Sequence, residues 1–189
     1  MKTLLCCLAL ALAPIAARAA EEATPEAVAK RQIEAMRSLN WELVARYTHP
    51  KALEQMQSLF IPVVIAGSTA KDNPAAQEMM RVVFAGKSAD ELSSMSPSSF
   101  FQIVMKGISG ATPDFKSAMT GMEVQVLGSV KESDNLAHVV YRLSRNMGDT
   151  VATKIAITTV ERDGETWKAQ LNADLENVAR AISARLQRP

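Results

Sequence analysis

The spacing of apolar residues changes once along this chain, at Met122, and that change constrains the fold more than any other feature. Before it, apolar side chains recur every three or four residues, the period of a helix with one buried stripe. After it they alternate, the period of a strand with one buried face. Helices followed by strands make an α+β pattern. The expected architecture is therefore a set of N-terminal helices packed on a curved four-stranded antiparallel meander, closed by a C-terminal helix.

Local signals mark the helices. Thr24, Pro25 and Glu26 supply a capping hydroxyl, a proline for the first helical position and a first-turn acid. Ala27, Val28, Ile33 and Met36 form the stripe behind them. Asn40 caps a short helix holding Trp41, Val44 and Tyr47. Pro50 opens another, with Leu53, Met56, Leu59, Phe60 and Val63, which Pro62 is expected to end or kink. Residues 67–74 read as a loop, after which Pro74 begins a helix with Met79, Met80, Val83 and Phe84 on its apolar side. Ser88-Ala89-Asp90-Glu91 is a capping box. Ser96-Pro97 starts a helix carrying Phe100, Phe101, Val104 and Met105, and Gly107, Gly110 and Pro113 are expected to close the helical part.

The strands follow from alternation. Met122, Val124, Val126 and Val130 share one face of the first; Ala137, Val139, Tyr141 and Leu143 share one face of the second. Val151, Ile155 and Ile157 do so in the third, and Trp167, Ala169 and Leu171 in the fourth. Connections fall at 132–135, 146–149 and Asp163-Gly164, the last a two-residue hairpin signal. The inward set is read as Val124, Val126, Val139, Tyr141, Ile155 and Trp167; an inverted assignment would turn Glu123, His138, Arg142 and Lys154 inward. A last helix is expected along Leu175, Val178, Ala179, Ile182 and Leu186.

The N-terminus reads as an export signal. Lys2 precedes an apolar run over residues 4–15, and Ala17-Arg18-Ala19 matches the small-x-small step that signal peptidase accepts. Glu21 and Glu22 follow too soon for a membrane span, which takes about 20 apolar residues. Residues 1–19 are thus expected to be removed, leaving residues 20–189 as one domain secreted across the inner membrane, periplasmic or extracellular. Cys6 and Cys7 leave with the leader, so no disulfide is expected; they precede the end of the apolar run, which argues against lipoprotein processing. Loss of Lys2 and Arg18 from 21 basic residues leaves 19 against 20 acidic ones, a net charge of −1. A near-neutral domain without a basic stripe lacks the electrostatic footprint of a nucleic-acid binder. No transmembrane segment is expected after the leader.

Asn40-Trp41 followed by Tyr47-Thr48-His49-Pro50, ahead of a strand-rich half, resembles the opening of nuclear-transport-factor-2-like domains, also called cystatin-like α+β cones. The resemblance covers the detail of residues 26–50 and the topology beyond, with extra helices over 59–108 where many relatives pass sooner to a strand. It implies a cone with a pocket, not a reaction. Members include isomerases, dehydratases and transport adaptors, and fold alone does not choose among them.

The remaining chemistry is sparse. His49 and His138 are the only histidines and no cysteine survives the leader, so no metal site is expected. His49 suits a helix cap. Ser68-Thr69-Ala70-Lys71 and Ser133-Asp134-Asn135 match two elements of penicillin-recognising enzymes, but the Lys-Thr-Gly element is missing and both matches fall in expected turns. Gly86-Lys87-Ser88 echoes a phosphate loop with Arg81 where its first glycine belongs. An isomerase of this fold type needs a buried carboxylate base, and the inward set offers only Tyr141 as a polar group.

Nine methionines lie beyond the leader, and Met79-Met80 and Phe100-Phe101 place apolar groups on more than one side of their helices. The expectation is a non-enzymatic binding module without cofactor, taking an apolar small molecule or a segment of another envelope protein, with Tyr141, Trp167, Met79, Phe84 and Phe101 as ligand-binding candidates. The alternatives are a small isomerase or hydratase using the cone interior, and an inhibitor or immunity-type interaction protein with a flat apolar patch.

Overall fold

A computed structural model describes residues 24–171 together with Asn177, Ala179, Arg180 and Ala184. Among the described residues seven helices precede four strands: α1 (Pro25–Arg37), α2 (Trp41–Tyr47), α3 (Pro50–Thr69), α4 (Pro74–Val83), α5 (Ala89–Ser94), α6 (Pro97–Ala111), α7 (Phe115–Thr120), then β1 (Met122–Lys131), β2 (Leu136–Met147), β3 (Thr150–Asp163) and β4 (Thr166–Ala169). The strands form one antiparallel sheet in sequence order, open and not closed into a barrel.

Most helix starts lie where the sequence marks them. Thr24, Asn40, Asn73, Ser88 and Ser96 each accept a backbone N–H with their side chains, and Ser88 with Glu91 completes the capping box. His49 caps α3, its Nδ1 accepting from the Lys51 N–H at 3.2 Å.

Two expectations about the helices are corrected. Pro62 neither ends nor divides α3, which runs on to Thr69 and takes Ser68 and Thr69 out of the expected loop. Pro62 and Ser58, whose carbonyl its missing N–H orphans, are both exposed, so water satisfies that group. Gly107 and Gly110 lie inside α6, and the short α7 follows Pro113. The last helix is expected largely on residues outside those described; of the described ones, Asn177, Ala179, Arg180 and Ala184 are helical and Ala179 is buried.

Two cores result. One lies among the helices and contains Trp41, Val44, Met56, Phe60, Phe84, Phe100, Phe101 and Val104, with Ala179 joining it. The second lies on the inner face of the sheet, where Ala137, Val139, Val160, Trp167 and Ala169 bury Val28 and Ala29 of α1. Helix α1 serves both, because Ala35 near its C-terminus belongs to the first.

The seam between the cores is polar and fully bonded. The Gln32 amide donates to Thr48 Oγ1 at 2.9 Å, and Thr48 Oγ1 donates to the Val44 carbonyl at 2.8 Å. Thr48 bridges to Ala169, whose carbonyl accepts the His49 N–H at 2.8 Å. The Tyr47-Thr48-His49-Pro50 step therefore covers the edge of β4. Gln32 and Thr48 are both buried, and their mutual bonding offsets the desolvation that either would suffer alone.

The sheet register corrects the strand faces. Tyr141 pairs with Val126 and Ala156, and Val139 with Ser129 and Thr158, so Val124, Val126, Val139 and Tyr141 share the inner face as expected. Ile155 and Ile157 pair instead with Arg142 and Val140, on the outer face, and are 52% and 63% exposed. Val151, of the same parity, is also exposed. The inner positions of β3 are Ala152, Lys154, Ala156, Thr158 and Val160. Val130 likewise faces outward beside His138, because a bulge between Val126 and Gly128 shifts β1 by one residue and exchanges its faces. One hairpin turn is tighter than expected, and the other keeps its expected two residues one position further on. Met147 pairs with Thr150 around Gly148-Asp149, and Asp163 pairs with Thr166 around Gly164-Glu165. Gly148 and Gly164 take φ of 69° and 63°, which only glycine adopts without strain.

An ionised group ties α1 to the sheet. The Ser129 hydroxyl donates to the Glu26 carboxylate. That bond, with Lys131 nearby, holds the Glu26 carboxyl below its ordinary value of 4.5. A lowered native pKa stabilises the fold fully above the unfolded value, and the contribution is lost as pH falls through the native one. Ser129→Ala is accordingly expected to lower the urea midpoint at pH 7, and the gap from the parent to shrink at pH 3. An equal gap at both values would show that the carboxylate is not the bonded group.

Candidate functional site

An apolar opening among the helices lies beside α4. This helix buries Ala76, Met80 and Val83 on one side and leaves Met79 half-buried at the boundary. It rests against α6 at Gly107, where the backbones come so close that a Cβ would stand 2.7 Å from the Val82 carbonyl oxygen and nearer still to the Val83 backbone. Beyond that crossing the helices leave an open groove of about 450 Å³, lined by Ala75, Ala76, Met79, Val82, Val83 and Ala111. One charged side chain, Glu78, stands on it, held by Arg81 through two bonds of 2.6 and 2.8 Å. The Glu78–Arg81 pairing is exposed, lowers the Glu78 pKa and leaves the groove wall apolar.

The second candidate surface is the inner face of the sheet beyond α1. Val124, Leu143, Tyr141 and Ala156 share it, all partly buried. Burial pushes the Tyr141 phenol above its ordinary 10.0, opposed by a bond with the Thr158 side chain. A phenol so placed stays protonated at neutral pH and is a hydrogen-bond donor, not a base. Glu26, the carboxylate bonded to Ser129, is shifted the other way and is a weak proton acceptor.

A pair of titratable groups within hydrogen-bond reach does exist, on the opposite face. His138 Nε2 lies 2.7 Å from Glu132 Oε2, while its Nδ1 is 3.1 Å from Thr159 Oγ1. Glu132 is largely exposed, at 61%. Arg142 also faces outward, donating to Gln125 Oε1 at 3.0 Å. Lys154 falls on the inner face by register but is exposed. Among the described residues no group of three or more His, Cys, Asp or Glu is placed to hold a metal ion.

The five candidate residues do not converge on one place. Phe84 and Phe101 are fully enclosed in the helical core, and Met79 packs against that core from the groove. Trp167 lies in the sheet core beneath the Arg162 guanidinium, 4.9 Å from its ring centroid. Tyr141 stands apart on the inner face. Sequence reasoning missed Gly107, whose importance depends on α4 crossing it, and it missed the outward turn of Ile155 and Ile157. A glycine inside a helical pattern was the available signal for the first.

No family model matches the chain, and none of the curated proteins or solved structures compared with it does. Among the described residues, no helix is long and apolar enough to cross a membrane.

Proposed function

We propose that this is an exported, non-enzymatic binding module whose ligand is an apolar small molecule or an apolar segment of another envelope protein, held in the groove between α4 and α6. The observation that carries the reading is the groove itself: about 450 Å³ of open space walled by Ala75, Met79, Val82 and Ala111, with its one acid already paired. Ligand sites of this size with apolar walls are typical of small-molecule binders. Met79 adds an adaptable thioether to the wall.

The chemistry on the sheet supports binding over catalysis. The inner face carries a phenol engaged by Thr158, and the imidazole–carboxylate pair is on the other side. An isomerase or hydratase would need such a pair within the cone. The proposal extends to a nuclear-transport-factor-2-like origin, which rests on Asn40-Trp41 and Tyr47-Thr48-His49-Pro50. It extends as well to export, which rests on the leader pattern of residues 1–19.

Ala75 is exposed on the groove wall, so Ala75→Trp fills the space without entering the core. Titration with an environment-sensitive apolar dye is expected to show saturable binding, weakened at least ~10-fold in Ala75→Trp and in Met79→Asp. Unchanged dye affinity in both variants would remove the groove from consideration. Native mass spectrometry of the purified protein then identifies what the groove carries.

A further inference from the structure

We propose that Met79 is an oxidation site through which peroxides control the groove between α4 and α6, its sulfoxide form releasing what the groove holds. The inference rests on the groove reading given above. Among the described residues Met79 supplies the only sulfur on the groove wall; the rest of the wall is alanine and valine, with Glu78 at its edge. The Met79 thioether is half-buried beside the open space. Met80, next in the chain, turns into the helical core and is 8% exposed, and Met56 is 1% exposed. Residues 20–189 contain no cysteine, so no thiol of the domain takes the oxidant first.

A thioether so placed needs no catalytic group to react. A sulfur lone pair attacks one oxygen of hydrogen peroxide, the S–O bond forms as the O–O bond breaks, and the second oxygen leaves as water after proton transfer. The sulfur loses two electrons and the peroxide gains them. The product is a polar, chiral sulfoxide, which a reductase reverses by passing the oxygen to a dithiol, giving a disulfide and water. The sulfoxide oxygen is a hydrogen-bond acceptor, and the lining residues offer it no side-chain donor: alanine and valine have none, and the Glu78 carboxylate only accepts. An apolar ligand seated against that oxygen would strip its water and return no bond, a net cost to binding. The side chain that adapts the wall to an apolar ligand when reduced thus opposes the same ligand when oxidised.

Titration with the neutral dye N-phenyl-1-naphthylamine, before and after hydrogen peroxide, tests this on the chain expressed from its full-length sequence. Peptide mapping by mass spectrometry is expected to find the sulfoxide at Met79 ahead of Met80 and Met56. Dye affinity is expected to fall at least ~10-fold with an unchanged circular dichroism spectrum, and to return on treatment with the two methionine sulfoxide reductases and dithiothreitol. Peroxide is expected to change the dye affinity of Met79→Leu less than ~2-fold, although its other methionines still oxidise. Met79→Gln, which places a polar group of similar length there without peroxide, is expected to bind dye at least ~10-fold more weakly than the reduced parent. It carries the test should Met79→Leu fail to fold. A Met79 that stays reduced while Met80 oxidises, an oxidised parent of undiminished affinity, or a Met79→Leu as sensitive to peroxide as the parent overturns the oxidation site and leaves the groove in place. A reduced parent that binds no dye overturns the groove, and the oxidation site with it.

Discussion

Gly107→Ala is expected to destabilise the protein by roughly 2–4 kcal/mol, although alanine is the better helix former. The added methyl would meet backbone, with the Val82 carbonyl oxygen 2.7 Å away and the Val83 main chain closer. Backbone of a packed helix cannot swing aside as a side chain does, so α4 and α6 must separate along their contact. Helix propensity returns at most about 1 kcal/mol of that cost. Gly110, one turn further along α6, has nothing within 4 Å of its virtual Cβ. Gly110→Ala is therefore expected to raise stability by about 0.5–1 kcal/mol. Urea denaturation of the two variants should give midpoints on opposite sides of the parent. Equal shifts would mean that the helices do not cross where described. Because the groove begins at this crossing, Gly107→Ala should also weaken dye binding.

The second large effect is expected at Phe60. Its side chain is fully buried in the helical core, and truncation to alanine removes a ring that neighbouring helices cannot close over. A cost of about 3–5 kcal/mol is expected, which for a domain of this size lowers Tm by roughly 10 °C or more. The adjacent Leu59, 37% exposed, provides the contrast, and Leu59→Ala is expected to cost less than about 1 kcal/mol. Thermal scans of the pair check the facing of α3 in the turn before Pro62. Equal losses at the two positions would overturn that facing.

The signals legible in the sequence were those made by neighbours in the chain. Thr24, Asn40, Ser88 and Ser96 cap the helices that follow them because a cap needs only the next three residues. The alternation of Ala137, Val139 and Tyr141 located β2 and its inner face. Alternation in β3 was equally clear and was misread, because it shows which residues share a face and not which face meets the helices. Val151, Ile155 and Ile157 are the more apolar set, yet the smaller Ala152, Ala156 and Thr158 lie inward. The bulge before Gly128, with φ of 149°, left no mark that distinguishes it from an ordinary strand glycine. Pro62 was misjudged because its tolerance depends on lying on the wet side of α3, a property of the tertiary structure. For the candidate site, Met79 followed from helical spacing. The groove did not, since it exists only where α4 and α6 diverge after Gly107.

The division of labour within α1 has a consequence for synthesis. Its first half is completed only by the sheet, and Ser129 follows Glu26 by 103 residues. At elongation rates of roughly 5–20 residues per second, the nascent helix waits on the order of 5–20 s before Val28 and Ala29 find cover. Through that interval the growing polypeptide presents an oily stripe to its surroundings. A chaperone that recognises short apolar helices would thus meet α1 well before the ribosome releases the chain.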